Sequence, residues 1–215
     1  MSKKLILTIA PYFLVAWLFD LNAQTREIEK LSDAPMDTNA SSDRDYPTSY
    51  EIALKQWKTV SEVNTWIHDN FRYDMERAKR MAENSSDREK TTIYPPAEFY
   101  QIKKGICVDL SRFTSETLNQ LDTSLHAQYL MINFEPLTID GKIIRKHWIS
   151  VYEDNGAYYL LGDSKRPGFI AGPYEKVDDF IVHYQDYRDR KVVSWKVVSD
   201  YKRVRKKKAV REKKG

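Results

Sequence analysis

The only cysteine of the chain, Cys107, lies in the run Lys103-Lys104-Gly105-Ile106-Cys107-Val108-Asp109-Leu110-Ser111-Arg112-Phe113. Gly105 breaks the local pattern. Leu110, Phe113, Leu118 and Leu121 then recur at helical spacing, with Thr117 on the same stripe. This spacing predicts a helix from Cys107 to Leu121 with the thiol in its first turn. The first turn of a helix carries amide N–H groups without intrahelical acceptors, and the positive end of the dipole. A sulfur there is favoured as the thiolate, which is the nucleophilic form. The same amides can face an oxyanion formed on a carbonyl that the sulfur attacks. The plainer alternative is a buried thiol that packs as a small hydrophobe.

A nucleophilic sulfur needs a base, and the base needs an orienting group. His147 and Asp163 fit those roles if they share a sheet face. Asp154-Asn155-Gly156 is a hairpin signal between predicted strands at Ile143–Tyr152 and Tyr158–Gly162. A three-residue loop pairs Glu153 with Ala157 and His147 with Asp163, which points both side chains to one face. Ile149, Val151, Tyr159 and Leu161 then share that face and meet the Cys107 helix. A two-residue Asn-Gly loop shifts the pairing by one and sends His147 and Asp163 to opposite faces, so the triad reading demands the longer loop. With that loop, Cys107 is the nucleophile, His147 takes and later returns a proton, and Asp163 fixes the imidazole tautomer. The bland alternatives are a histidine at a sheet edge and an aspartate that opens the turn through Ser164, Arg166, Pro167 and Gly168. His126 and His183 are competing bases. His68 reads as a surface or partly packed histidine, because no second ligand stands at metal spacing. One oxyanion donor is the Cys107 amide; Tyr94 or Gln101 could supply the second.

The surrounding elements must position these groups. A first helix is expected over Glu51–Trp57. Thr59-Val60-Ser61-Glu62 matches a capping box, followed by a helix face at Val63, Trp66, Ile67, Phe71 and Met75. The charged stretch Arg77–Lys90 reads as a helix end and exposed loop. Pro95-Pro96 opens a short helix through Ala97–Tyr100. After Leu121 come a strand at His126–Ile132, a turn region at Glu135–Gly141, the two hairpin strands, a helix over Pro173–Tyr187 and a last strand at Val192–Tyr201. Helices followed by strands give an α+β class.

The chain has 215 residues, 41% of them hydrophobic, enough for one domain with extensions. The net charge of +4 is a property of one end. Residues 202–215 hold nine Lys or Arg and one Glu, a local +8 that leaves −4 on the rest. The body is therefore not basic, and no nucleic-acid partner is expected. The tail reads as a solvated, disordered end that can touch an anionic surface. Residues 1–23 read as an export signal: Lys3 and Lys4, an apolar run of 15 residues from Leu5 to Phe19, and Ala23 before a cut at Gln24. The alternative is an uncleaved N-terminal anchor. Either way the body is expected to be exported, periplasmic or secreted. Residues 24–49 read as a flexible linker, and 50–201 as the domain. No metal cluster or nucleotide loop is seen, so no cofactor is expected.

Gly105–Phe113 resembles the cysteine-helix motif of transglutaminase-like proteins. His147-Trp148-Ile149-Ser150-Val151-Tyr152 resembles their histidine strand, and Tyr159-Leu160-Leu161-Gly162-Asp163 their aspartate strand, in the same order. Trp66–Asp74 is similar to the helix before their active site. The resemblance covers roughly residues 50–200. It implies a papain-like α+β core, with N-terminal helices and the Cys helix packed on an antiparallel sheet. It also implies acyl transfer through a thioester, with peptide or glutamine side-chain amides as donors. Trp148 departs from the small residue often found after the histidine. The expected function is a cysteine peptidase or amidase acting on a protein or peptide, with hydrolysis favoured over transamidation. An inactive module binding a peptide or cell-surface polymer is the alternative, and an adapter driven by the basic tail is a third reading.

Overall fold

The computed structural model describes residues 44–83, 92–139 and 142–200. The chain divides at Ser41/Ser42, and all described residues fall in the second part. The expected export signal, most of the expected linker and the basic tail lie outside the described residues. The linker's last six residues are described and are packed rather than free. Tyr100 Oη donates to the Pro47 carbonyl at 2.7 Å, Arg44 Nη1 pairs with Asp69 at 2.6 Å, and Ser49 caps the first helix.

Among the described residues four short helices precede the Cys107 helix: α1 (Tyr50–Gln56), α2 (Val60–Asn70), α3 (Met75–Glu83) and α4 (Pro96–Ile102). Each start has a local cause. At α2 the capping box forms: Thr59 Oγ1 accepts from the Glu62 amide, and Glu62 Oε2 accepts from the Thr59 amide at 2.8 Å. Proline occupies the first position of α4, where its missing N–H costs nothing. Met75 opens a new helix instead of extending the α2 face, because the chain turns through the two-residue strand β1 (Arg72–Tyr73). This strand runs parallel to β2 (Lys104–Gly105). Helix α5 spans Cys107–Leu121, as the apolar spacing predicts.

Among the described residues five strands follow: β3 (Gln128–Ile139), β4 (Lys142–Asp154), β5 (Ala157–Leu161), β6 (Ala171–Tyr174) and β7 (Val192–Val198). They form one antiparallel sheet in the order β6-β5-β4-β3-β7. Residues 135–139, expected as turn, continue β3. The helix expected over Pro173–Tyr187 is α6 (Val177–Arg188), and the preceding residues form the unforeseen strand β6.

The sheet separates two cores. One face carries Ser150, Tyr152, Tyr159 and Leu161 and packs on α5 and the N-terminal helices, around Trp66, Phe99 and Phe113. Ser150 Oγ donates to the Ser111 carbonyl at 2.9 Å and lies 2.8 Å from Ser115 Oγ, tying β4 to α5. The other face carries Leu130, Ile132, Ile149, Val151 and Leu160 and packs on Phe180, Ile181 and Tyr184 of α6. The expected apolar face that mixed Ile149 and Val151 with Tyr159 and Leu161 is thus split between two layers.

The split follows from the hairpin loop. Asp154 pairs with Ala157 and Ser150 with Leu161, so the loop is the two-residue Asn155-Gly156. Both loop residues have positive φ, 51° and 76°, which Asn-Gly turns tolerate. The three-residue loop is incorrect: Asn-Gly suffices to close the turn, and its twist matches that of the flanking strands.

Candidate functional site

Cys107 is the first residue of α5, so its amide has no acceptor within the helix. The approach to it is tightly held. A Cβ on Gly105 would come within 2.9 Å of the Phe99 ring and 3.0 Å of Asp109 Cβ, so no larger residue fits without movement. The Gly105 carbonyl accepts from the Asp74 amide at 2.8 Å, which ties the Cys loop to β1. Ile106 has no side-chain acceptor, so the helix start depends on Asp109 alone, whose Oδ2 accepts from the Ile106 amide at 3.0 Å.

Asp109 is fully buried and does more than cap. Arg77 Nε donates to its Oδ2 at 2.8 Å and Arg77 Nη2 to its Oδ1 at 2.9 Å, a forked pair. The Tyr94 amide also donates to Oδ1, at 3.1 Å. The Arg77 guanidinium lies over the Tyr94 ring, 3.8 Å from its centre. A charged stretch that reads as exposed thus sends one arginine into the core beneath the cysteine.

His147 lies on β4, buried, on the sheet face opposite Ser150. Its ring stacks on Tyr184 of α6, with 6.1 Å between ring centres. Its Nε2 is 3.0 Å from Asp163 Oδ1. Cys107 stands close enough to the same ring to act on its titration. Burial alone would lower the imidazole pKa. The hydrogen bond to Asp163, the nearby Cys107 and the negative charge these groups carry outweigh it and raise the value to about 9. Burial likewise opposes the charge of Asp163, yet the His147 bond and charge, the Lys165 amide and the Arg188 charge hold its pKa well below the usual carboxylate range.

The short loop did not separate His147 from Asp163, because the ladder stops before the aspartate. Pairing ends at Leu161, and Gly162 has φ +74°. A Cβ there would lie 2.7 Å from Thr114 Oγ1 of α5. Only glycine can turn the chain this close to the Cys107 helix. The turn takes Asp163 out of strand alternation, so the register rule no longer governs which way it points.

The other expected site residues lie elsewhere. The Tyr94 amide donates to Asp109, and Gln101 Nε2 donates to the Thr48 carbonyl at 2.8 Å. His126 is exposed and closes a short 3-10 turn. His183 is exposed on α6 against Tyr174. His68 bonds Asp69 at 2.8 Å and is half exposed. Trp148 alternates to the face opposite His147 and does not narrow the site from the histidine side.

Three residues near the site were not singled out from the sequence. Tyr73 of β1 stands close enough to Cys107 that burial, and then the charge of Cys107, push its phenol up to about 12. Tyr184 Oη donates to Asp163 Oδ2 at 2.9 Å, and Arg188 Nη1 donates to Tyr184 Oη at 2.6 Å. The only available signal for the last two was their four-residue spacing on the apolar stripe of α6.

Residues 51–194, about two thirds of the chain, match the family model described as a transglutaminase-like domain. No curated protein matches the chain.

Proposed function

Because the chain belongs to the transglutaminase-like family, we propose that it is a cysteine-dependent acyl-transfer enzyme that hydrolyses peptide or glutamine-type amides. The observation that supports this best is one buried imidazole, 3.0 Å from the Asp163 carboxylate, with Cys107 close enough to act on its titration.

The cycle starts with sulfur as thiolate and His147 as imidazolium. The thiolate attacks the amide carbonyl carbon, and the π pair moves to oxygen. The Cys107 amide, at the positive end of α5, faces that oxyanion. As the C–N bond breaks, imidazolium gives its proton to the departing amine, leaving a thioester. Water then attacks the thioester, His147 takes its proton, and the C–S bond breaks to release a carboxylic acid. Asp163 stays ionised throughout and keeps the imidazole in one orientation. Water is preferred to an amine as acceptor because Cys107 is partly exposed, whereas transamidation requires a shielded thioester. Export by residues 1–23, and contact of the basic tail with an anionic surface, are part of the same proposal and rest on the sequence.

The test is labelling by iodoacetamide at neutral pH, read by mass spectrometry, alongside amide hydrolysis by wild type and Cys107→Ala. Labelling faster than a model thiol and loss of hydrolysis in the variant are expected. Labelling at the model rate, with host function surviving Cys107→Ala, would replace the enzyme with a binding module.

A further inference from the structure

We propose that Tyr184 and Arg188 are positioning residues for the Asp163–His147 pair, linked to it by hydrogen bonds that can run in only one direction. This rests on the reading of His147 as the base.

The direction follows from donor counting. A guanidinium has donors and no acceptor. Arg188 Nη1 is 2.6 Å from Tyr184 Oη, so the tyrosine oxygen accepts there. Tyr184 has a single hydroxyl hydrogen, and its other polar neighbour is Asp163 Oδ2 at 2.9 Å. The hydroxyl hydrogen therefore points to the carboxylate. Burial, then the Asp163 charge, push the Tyr184 phenol well above its ordinary value, so it remains a donor at any working pH.

The consequence is a carboxylate held at both oxygens. Oδ1 faces His147 Nε2 and accepts from the Lys165 amide at 2.9 Å, while Oδ2 accepts from Tyr184. Rotation of the carboxylate would break donors on both sides. Tyr184 is itself fixed: it is 1% exposed, stacks on Phe180 at 4.8 Å and lies against the His147 ring. Arg188 donates a hydrogen bond to this tyrosine, and its charge acts on Asp163. The other charged or titratable groups facing the pair are Cys107 from α5, Arg166 with Nε 3.7 Å from Asp163 Oδ2, and Tyr187 from α6; Tyr73 of β1 faces Cys107.

The experiment follows the His147 imidazole by NMR in the full chain, assigned among four histidines with His147→Gln. Tyr184→Phe removes one hydroxyl with little change of shape. The imidazole pKa is expected to fall by about one unit as Asp163 becomes free to turn. Iodoacetamide labelling of Cys107 at neutral pH should slow about 3–10-fold over the same change. An imidazole pKa that stays put or rises in Tyr184→Phe overturns the proposal, since an electrostatic effect without positioning would raise it. Should Tyr184→Phe not fold, Arg188→Leu is expected to slow labelling and Arg188→Lys to restore most of it; labelling at the wild-type rate in Arg188→Leu overturns it equally. A wild-type Cys107 no faster than a model thiol removes the enzyme reading alone, and the imidazole titration still decides on Tyr184.

Discussion

Replacing Arg77 by methionine should be among the most damaging single changes in this protein. The guanidinium has only 9% of its side-chain surface exposed and the Asp109 carboxylate none. Arg77→Met removes both forked bonds and leaves an ionised group in the core with two amide donors, Ile106 and Tyr94. Removing one partner of a buried pair costs about 3–5 kcal/mol, because the stranded charge keeps its desolvation penalty. In a domain of this size each kcal/mol lowers Tm by about 2–4 °C, so a fall of roughly 6–20 °C is expected. Removing both charges is the informative control. In Arg77→Met/Asp109→Leu no charge is stranded, and the main loss is the pairing of two backbone amides, about 1–3 kcal/mol each at most. The double variant should therefore be clearly more stable than the sum of the two single losses, and the coupling should be large. Urea unfolding of wild type, both single variants and the double variant measures it. A cost below about 1 kcal/mol for Arg77→Met, or a double variant equal to the sum of the singles, would refute the picture of a buried, mutually dependent pair. Labelling of Cys107 adds a local readout, because Asp109 also fixes the amide just before the cysteine.

Two glycines of positive φ should respond differently to alanine. Gly162→Ala meets Thr114 Oγ1 at 2.7 Å, whereas a Cβ on Gly156 has open space around it. Gly156→Ala should thus cost only the backbone term, about 1–2 kcal/mol, and leave activity intact. Gly162→Ala should cost more and also misaim Asp163, lowering both Tm and turnover; equal effects at the two sites would contradict the role given to Gly162. Stability should depend on pH through the buried pair. The His147 pKa is raised to about 9 from its ordinary 6.5, so its contribution is complete below about 6.5 and is lost as pH rises through 9. The Asp163 pKa is depressed, so its contribution is present above the unfolded carboxylate range and is lost in acid. Urea midpoints in wild type and His147→Gln check this, and an alkaline slope that survives in His147→Gln argues against it. Asp163→Asn should lower amide hydrolysis by about 10²–10⁴-fold with little effect on substrate binding, by analogy with other orienting carboxylates. A KM effect alone would speak against an orienting role.

Local pattern was enough for most of the elements, though not for β6 or for the continuation of β3 through residues 135–139. The α+β class, the span of the Cys107 helix, the capping box at Thr59 and Glu62 and the presence of a hairpin around Asp154-Asn155-Gly156, though not its loop length, are each encoded within a few residues by apolar spacing, capping chemistry or turn preference. The transglutaminase-like resemblance was legible for a related reason, since its motifs are short and keep their order. What the sequence could not determine was how distant pieces meet. Alternation along β4 and β5 is a rule about a paired ladder, and it lapses at Gly162, where close packing on Thr114 forces a turn that no neighbour in sequence announces. Arg77 belongs to a run that looks solvated, and only the approach of Asp109, 32 positions away, makes its burial favourable. Tyr184 and Arg188 look like ordinary helix residues until α6 crosses the sheet behind Asp163. Periodicity and turn chemistry are properties of neighbouring residues, whereas charge burial and side-chain aim depend on what the folded chain brings alongside, and the tertiary structure alone decides that.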